Sequence, residues 1–234
     1  MKITYFDHYD GLSENAADLF AGELRKKKDA LVCCATGGSP QGLYQRLAGI
    51  NEAGLFDRMR ILKLDEWGGI PMTDPNSCHS YLQQYVLTPL KIFDERYIAF
   101  DSEAKSVEGE CKRIQQVIDQ TGPIDFCILG LGKNGHLGFN EPAAFLQRDC
   151  HIATLASTTV EHSMVQTMPR TPTFGMTIGL HDILNAKKIL LIITGSHKQE
   201  AIKKLMTREI TTQLPASLLW LHSNVECLID RTSL

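Results

Sequence analysis

The chain has 234 residues, of which 43% are hydrophobic and 22% charged, with a net charge of −3; that is enough for one α/β domain with a full core, or at most two small domains. The charge balance and the lack of a basic stripe argue against a nucleic-acid partner. No apolar run approaches the ~20 residues needed to cross a bilayer, and the opening MKITYFD lacks a signal peptide's apolar region and small-residue cleavage site.

In chain order, short β-type runs are predicted over residues 2–6, 30–35, 60–64, 124–130, 151–155, 188–194 and 225–229. Helical patterns are predicted over 12–27, 41–50, 77–87, 103–120 and 198–206. Several strands are apolar without interruption, which suits burial on both faces. The first helical pattern carries Leu12, Ala16, Leu19, Phe20 and Leu24 on one side. The alternation predicts an α/β fold: a single doubly wound, mostly parallel, modified Rossmann-like sheet with helices on both faces. No repeat, low-complexity tract or linker divides the chain, so residues 1–234 are expected to form one domain. The 7 cysteines include no CxxC pair. Zinc-ligand spacing is absent, a disulfide framework is disfavoured, and buried reduced thiols in a cytoplasmic protein are the simplest account.

Four segments carry chemistry. The first, Ala35-Thr36-Gly37-Gly38-Ser39-Pro40, follows the strand at 30–35. Its glycines let backbone N–H groups converge, Ser39 is placed to cap the next helix, and Pro40 suits its first turn. A phosphate fits such a helix start; an ordinary strand-to-helix turn is the alternative, and no P-loop pattern is present. The second, Leu64-Asp65-Glu66-Trp67, puts two carboxylates at a strand's carboxyl end. In extended chain they point to opposite sides, so one can face a substrate as a general base while the other is structural. An exposed acidic turn is the alternative.

The third segment, 130–142, reads GLGKNGHLGFNEP and follows the apolar strand at 124–129. Open α/β sheets build their sites from such loops, and the joint presence of His136, Asn140 and Glu141 outweighs an incidental histidine in a turn. Gly130, Gly132 and Gly135 formally match GxGxxG, but Pro142 interrupts any long helix and no carboxylate follows the strand at 151–155, so a nicotinamide site is rejected. The fourth segment is Gly195-Ser196-His197-Lys198. Ser196 and Gln199 have capping-box spacing. Lys198 falls in the first helical turn, where a cation opposes the macrodipole unless an anion sits beside it. His79, His162, His181 and His222 read equally well as structural, and Trp67 and Trp220 as packing groups.

Together, residues 35–40, 64–67, 130–142, 177–186 and 215–222 resemble the amino-sugar 6-phosphate deaminases, also called isomerases, over nearly the whole chain. The most specific piece is Phe139-Asn140-Glu141-Pro142. The resemblance implies conversion of an aldose 2-amino-2-deoxy 6-phosphate to a ketose 6-phosphate and ammonia, with no cofactor and no metal. It implies that Asp65 removes the C2 proton, that His136 shuttles a proton during ring opening, that Glu141 orients and tunes His136, and that Thr36, Gly37, Gly38, Ser39 and Lys198 hold the phosphate. Asn134 stands where many glucosamine-6-phosphate deaminases have Asp; it brings no charge, so Glu141 must do more of the tuning. Val160 stands where a phosphate-contacting Arg is usual, leaving Arg170 or His162 to compensate. These departures, with GLGKNGHLG and PASLLWLHSN (215–224), look more like the galactosamine-6-phosphate branch, whose product is tagatose 6-phosphate. Glucosamine 6-phosphate to fructose 6-phosphate is the second expectation. More distant alternatives are a 6-phosphogluconolactonase-like hydrolase and a non-catalytic sugar-phosphate sensor. The expected partner is the small-molecule substrate, without nucleic acid or membrane, and homo-oligomerisation is compatible with the chain.

Overall fold

A computed structural model describes residues 1–161, 163–168 and 170–234. The elements are β1 (Lys2–Phe6), α1 (Tyr9–Lys26), β2 (Leu31–Cys34), α2 (Gly38–Ala48), β3 (Arg60–Lys63), β4 (Asp65–Trp67), α3 (Cys78–Leu82), β5 (Tyr97–Ile98), α4 (Val107–Thr121), β6 (Phe126–Gly130), β7 (His151–Thr154), α5 (Ser157–Val160), α6 (Ser163–Gln166), β8 (Phe174–Thr177), α7 (Leu180–Leu184), β9 (Ile189–Ile193), α8 (Gln199–Met206) and β10 (Val225–Asp230). Seven strands form one sheet in the order β1-β10-β9-β6-β2-β3-β5, with every pairing parallel.

The apolar runs are sandwiched as their composition predicts. Along β2, Leu31 and Cys33 face one cluster and Val32 and Cys34 the other; β6 and β9 alternate the same way. Helices α4, α7 and α8 cover the first face, and α1, α2 and α3 the second. All seven cysteines are unpaired thiols, and only Cys150 is not fully buried. No described helix is long and apolar enough to cross a membrane.

The strand expected at 151–155 forms, but not in this sheet. β7 joins β8 and β4 in a separate antiparallel sheet, order β4-β8-β7. Ile152 and Thr154 are exposed, so only one face of β7 is covered, which suits antiparallel pairing rather than the sandwiched sheet. The chain passes between the sheets at Leu64. Its N–H still donates to Cys34 O at 3.2 Å, while its carbonyl accepts from Ile178 N at 3.0 Å. Asp65 is the first residue beyond that crossing.

Helix starts differ from the periodicity where side chains intervene. The first turn of α1 brings in Tyr9, whose hydroxyl accepts from Gly42 N at 2.6 Å and donates to Gly38 O at 2.7 Å, tying α1 to α2. A Cβ at Gly42 would lie 2.2 Å from Ser13 Oγ, so the two helices pack this closely only with glycine there. α4 starts at Val107 rather than 103 because Ser106 caps it, its Oγ accepting from Gly109 N at 3.0 Å.

Candidate active site

β2 and β6 are neighbours in the sheet, yet the chain runs outward from them in opposite directions, to β3 on one side and β9 on the other. Loops leaving strand carboxyl ends diverge at such a switch point and open a crevice. A cavity of about 520 Å³ lies there, a size suited to a small ligand. Thr36, Gly37, Gly38, Ser39, Asp65, His136 and Lys198 all line it. Glu141 and Asn134 do not; they stand behind His136.

Asp65 and Glu66 face opposite ways, as an extended segment requires. Asp65 lines the cavity, whereas Glu66 turns into the protein and is fully buried. Glu66 accepts from Lys63 Nζ at 2.5 Å and from the N–H groups of Trp67, Cys78 and His79 at 2.9 Å each. Lys63 is also fully buried and donates to Phe100 O at 2.9 Å. Burial, then the neighbouring charge of Glu66, pushes the Asp65 carboxyl up to about 7, against the opposing pull of Lys63 and the Cys78 thiol. A carboxyl poised there is able to act as a general base near neutral pH.

His136 is held from behind. Its Nδ1 lies 3.0 Å from Glu141 Oε2 and 3.2 Å from Thr159 Oγ1. A carboxylate at Nδ1 assigns the ring proton to that nitrogen and leaves Nε2 to exchange protons. Thr159 Oγ1 also donates to Glu141 Oε1, and Asn134 Nδ2 to Glu141 Oε2 at 2.8 Å. Burial alone would raise the Glu141 carboxyl; the hydrogen bond and charge of His136, with Thr159 and Asn134, hold it below its usual range. Asn134 therefore reaches the imidazole ring through Glu141, and its own Oδ1 accepts from His136 N at 3.2 Å. The ring lies against Gly132, where a Cβ would come within 2.2 Å of His136 Cδ2. Gly132 thus serves ring packing, and no helix follows β6 before β7, in keeping with the rejected nicotinamide site. Asn140 binds Leu137 O at 2.8 Å and Ile178 O at 3.0 Å, tying this loop to the end of β8.

At the anion end the expected residues meet, with different capping. α2 begins at Gly38, and its N-cap is Gly37 at φ 99°, a conformation that favours glycine. Ser39 is therefore not the cap. It sits inside the first turn, where its Oγ lies 2.9 Å from Thr194 Oγ1 and accepts from Lys198 Nζ at 3.0 Å. The capping box expected from Ser196 and Gln199 does not form either. A short turn over Ser196–Lys198 precedes α8, so Lys198 is itself the N-cap residue, with no side-chain cap. Burial pushes its ammonium down to about 8.

Lys133 and His197 line the same cavity, although the sequence patterns gave them no role. Burial first, then the charges of Lys198 and Lys133, lowers the His197 imidazole below its usual range, which favours its neutral form and puts two lysines and a histidine together at this end. The signal for Lys133 was its place inside the GLGKNGH loop. Among the described residues, neither lysine has a carboxylate within salt-bridge distance. Val160 packs instead into the apolar cluster of Trp67, Ile70 and Phe139, with the Trp67 and Phe139 rings 4.5 Å apart. Arg170 is exposed and does not line the cavity, so it does not fill the place of the missing arginine; His162 lies outside the described residues. His79, His181 and His222 do not line it.

Residues 7–228 match the family model of glucosamine-6-phosphate isomerases/6-phosphogluconolactonase. The chain is 43% identical over 226 residues to the "Putative deaminase AgaI" of Escherichia coli (strain K12), covering 96% of this chain and 90% of that one. It is 36% identical over 235 residues to glucosamine-6-phosphate deaminase 1 of Bacillus subtilis (strain 168), covering 99% and 97%. The solved structure of a monomeric glucosamine-6-phosphate deaminase superposes with a TM-score of 0.94 at 36% identity, covering 100% of this chain and 98% of that one. The 6-phosphogluconolactonase of Trypanosoma brucei shares the fold at a TM-score of 0.75 and 17% identity, covering 98% and 96%. On the family model, the identities and the superposition, the chain belongs to the glucosamine-6-phosphate isomerase/6-phosphogluconolactonase family.

Proposed function

We propose that the chain is a cofactor-free amino-sugar 6-phosphate deaminase, that residues 1–234 act as one catalytic domain, and that galactosamine 6-phosphate is the preferred substrate, giving tagatose 6-phosphate and ammonia. The observation that carries this reading is one hexose-sized cavity lined by Asp65, His136 and the Thr36–Ser39 turn with Lys198.

The phosphate is the handle: backbone donors at the start of α2 and the Lys198 ammonium take its charge, Lys133 adds to that field, and the neutral His197 ring offers a hydrogen-bonding nitrogen beside them. His136 Nε2 moves a proton from the C1 hydroxyl to the ring oxygen, opening the pyranose, while Glu141 holds the ring and stabilises the imidazolium. The Asp65 carboxylate removes the C2 proton, giving an enolamine. Protonation at C1 gives a C2 imine; water adds at C2 and ammonia leaves. Binding energy at the phosphate aligns C2 with Asp65.

The galacto preference is supported by Val160 and by the segments at 130–138 and 215–224. The test is ammonia release from galactosamine 6-phosphate and glucosamine 6-phosphate side by side, with 6-phosphogluconolactone as control. A higher kcat/KM on galactosamine 6-phosphate is expected. Preference for glucosamine 6-phosphate overturns the epimer assignment, and turnover of the lactone alone overturns the deaminase reading.

A further inference from the structure

Cys78 is a buried nucleophile beside the site that this chemistry leaves without a task. It opens α3 and is 1% exposed. Its Sγ stands between two residues of the site, 3.6 Å from Thr36 Oγ1 and 3.8 Å from Asp65 Oδ1. Its main chain is pinned too, the N–H donating to Glu66 Oε1 at 2.9 Å. Because Glu66 also gathers the N–H groups of Trp67 and His79 and the Lys63 ammonium, the first turn of α3 is held against the strand that carries Asp65.

Nucleophilic attack is closed to this sulfur. Burial, then the charges of Glu66 and Asp65, holds the thiol well above its usual range, so it stays protonated. A thiol has one hydrogen to give. The Thr36 hydroxyl donates to the sulfur, which leaves the S–H for Asp65 Oδ1. The other oxygen, Oδ2, lies on the side of Gly138, a residue of the cavity wall.

We propose that Cys78 is a positioning residue for the base: the Thr36 hydroxyl holds the sulfur, and the S–H fixes Asp65 Oδ1 so that Oδ2 meets the substrate. The phosphate turn and the base are thereby set in register through one sulfur atom. The inference rests on Asp65 acting as the base. The titratable groups that face its carboxyl are Lys63 and Glu66 along its own segment, Cys78 from α3, Cys33 from β2 and His136 across the cavity.

The test compares Cys78→Ala and Cys78→Ser. In Cys78→Ala the carboxyl loses a donor, and the acid limb of kcat/KM moves up by about half a pH unit, the size of one weak sulfur hydrogen bond. Cys78→Ser keeps a donor, and its limb stays at or below the wild-type position. A purely structural role lowers the melting temperature of both variants and moves neither limb. Carbon NMR of the Asp65 carboxyl reads the same shift without turnover, so absence of deaminase activity bears on the functional reading alone. An Asp65 titration in Cys78→Ala that coincides with wild type or falls below it, or an equal upward shift in both variants, overturns the proposal.

Discussion

Asp65 and Glu66 are consecutive residues on opposite sides of one short strand. Asp65 lines the cavity with its proton held to about pH 7, whereas Glu66 is sealed inside against Lys63. The asymmetry follows from strand alternation and is the ground for proposing Asp65 as the base. Replacing Asp65 by Asn is expected to cut ammonia release by about 10²–10⁴-fold, the usual worth of a positioned base. In the wild type, kcat/KM should climb as pH rises through 7. A steady-state series in both proteins checks this, and an unchanged rate in Asp65→Asn removes the residue from its role.

The same carboxyl makes a stability prediction. Its pKa rises from 3.8 to about 7 on folding, so the folded state holds this proton more tightly than the unfolded chain does. Raising the pH from about 4 through 7 therefore draws stability down. Asp65→Asn escapes that loss. Its melting temperature should exceed wild type at pH 8, and the two should converge below pH 4. A constant gap across that range speaks against the assignment.

Gly132→Ala tests the seat of the imidazole. The new Cβ would sit 2.2 Å from His136 Cδ2, so the ring must move. Displacement of about 1 Å costs on the order of 10²-fold in rate. A loss in kcat with KM largely kept is expected, because the anion end is untouched. Wild-type kcat in this variant would show that the ring position is not critical.

Glu141→Gln and Thr159→Val probe the support behind His136. Glutamine places an amide where the Nδ1 proton needs a carboxylate, and valine removes the hydroxyl bound to Glu141 Oε1. Partners behind metal-ligating histidines are typically worth about 10–100-fold, and a loss on that scale is expected here. We expect Glu141→Gln to lose more kcat than Thr159→Val, with both folding normally by circular dichroism.

Lys198 is expected to set the alkaline limit. Its ammonium titrates near 8 because burial disfavours the charge, so it is positive below that pH and neutral above it. KM for a sugar 6-phosphate should rise above pH 8. Lys198→Met should raise KM by about tenfold or more at pH 7, on the scale of one charge-assisted hydrogen bond. Equal KM values at pH 7 and 9 in the wild type would remove the lysine from the phosphate site.

Much of this was legible in the chain because strong local patterns coincide with the elements. The runs that became β2, β6 and β9 are apolar throughout, and only a sheet covered on both faces accommodates them. The GHLGFNEP segment announced His136 and Glu141 because they are close in sequence. The parts not legible depend on distant contacts. β4 and β8 are too short to carry a periodic signal, and their pairing, Asp65 opposite Thr177, joins residues far apart in the chain. The cap at Gly37 depended on a backbone φ that Ser39, the better cap by residue type, did not need. Lys133 and His197 carried no role in the sequence, because only the fold sets the β6 and β9 loops side by side around the cavity.

The crossing at Leu64 divides the labour of the molecule. The residues proposed to hold the phosphate stand on loops of the large parallel sheet, while Asp65, the proposed base, rides on the small antiparallel one. On these roles, drift in a few short strands can change the carboxylate while the loops that face the phosphorylated end, and the one that carries His136, stay in place. That modularity gives a physical reason why deaminases and lactonases are found on one scaffold.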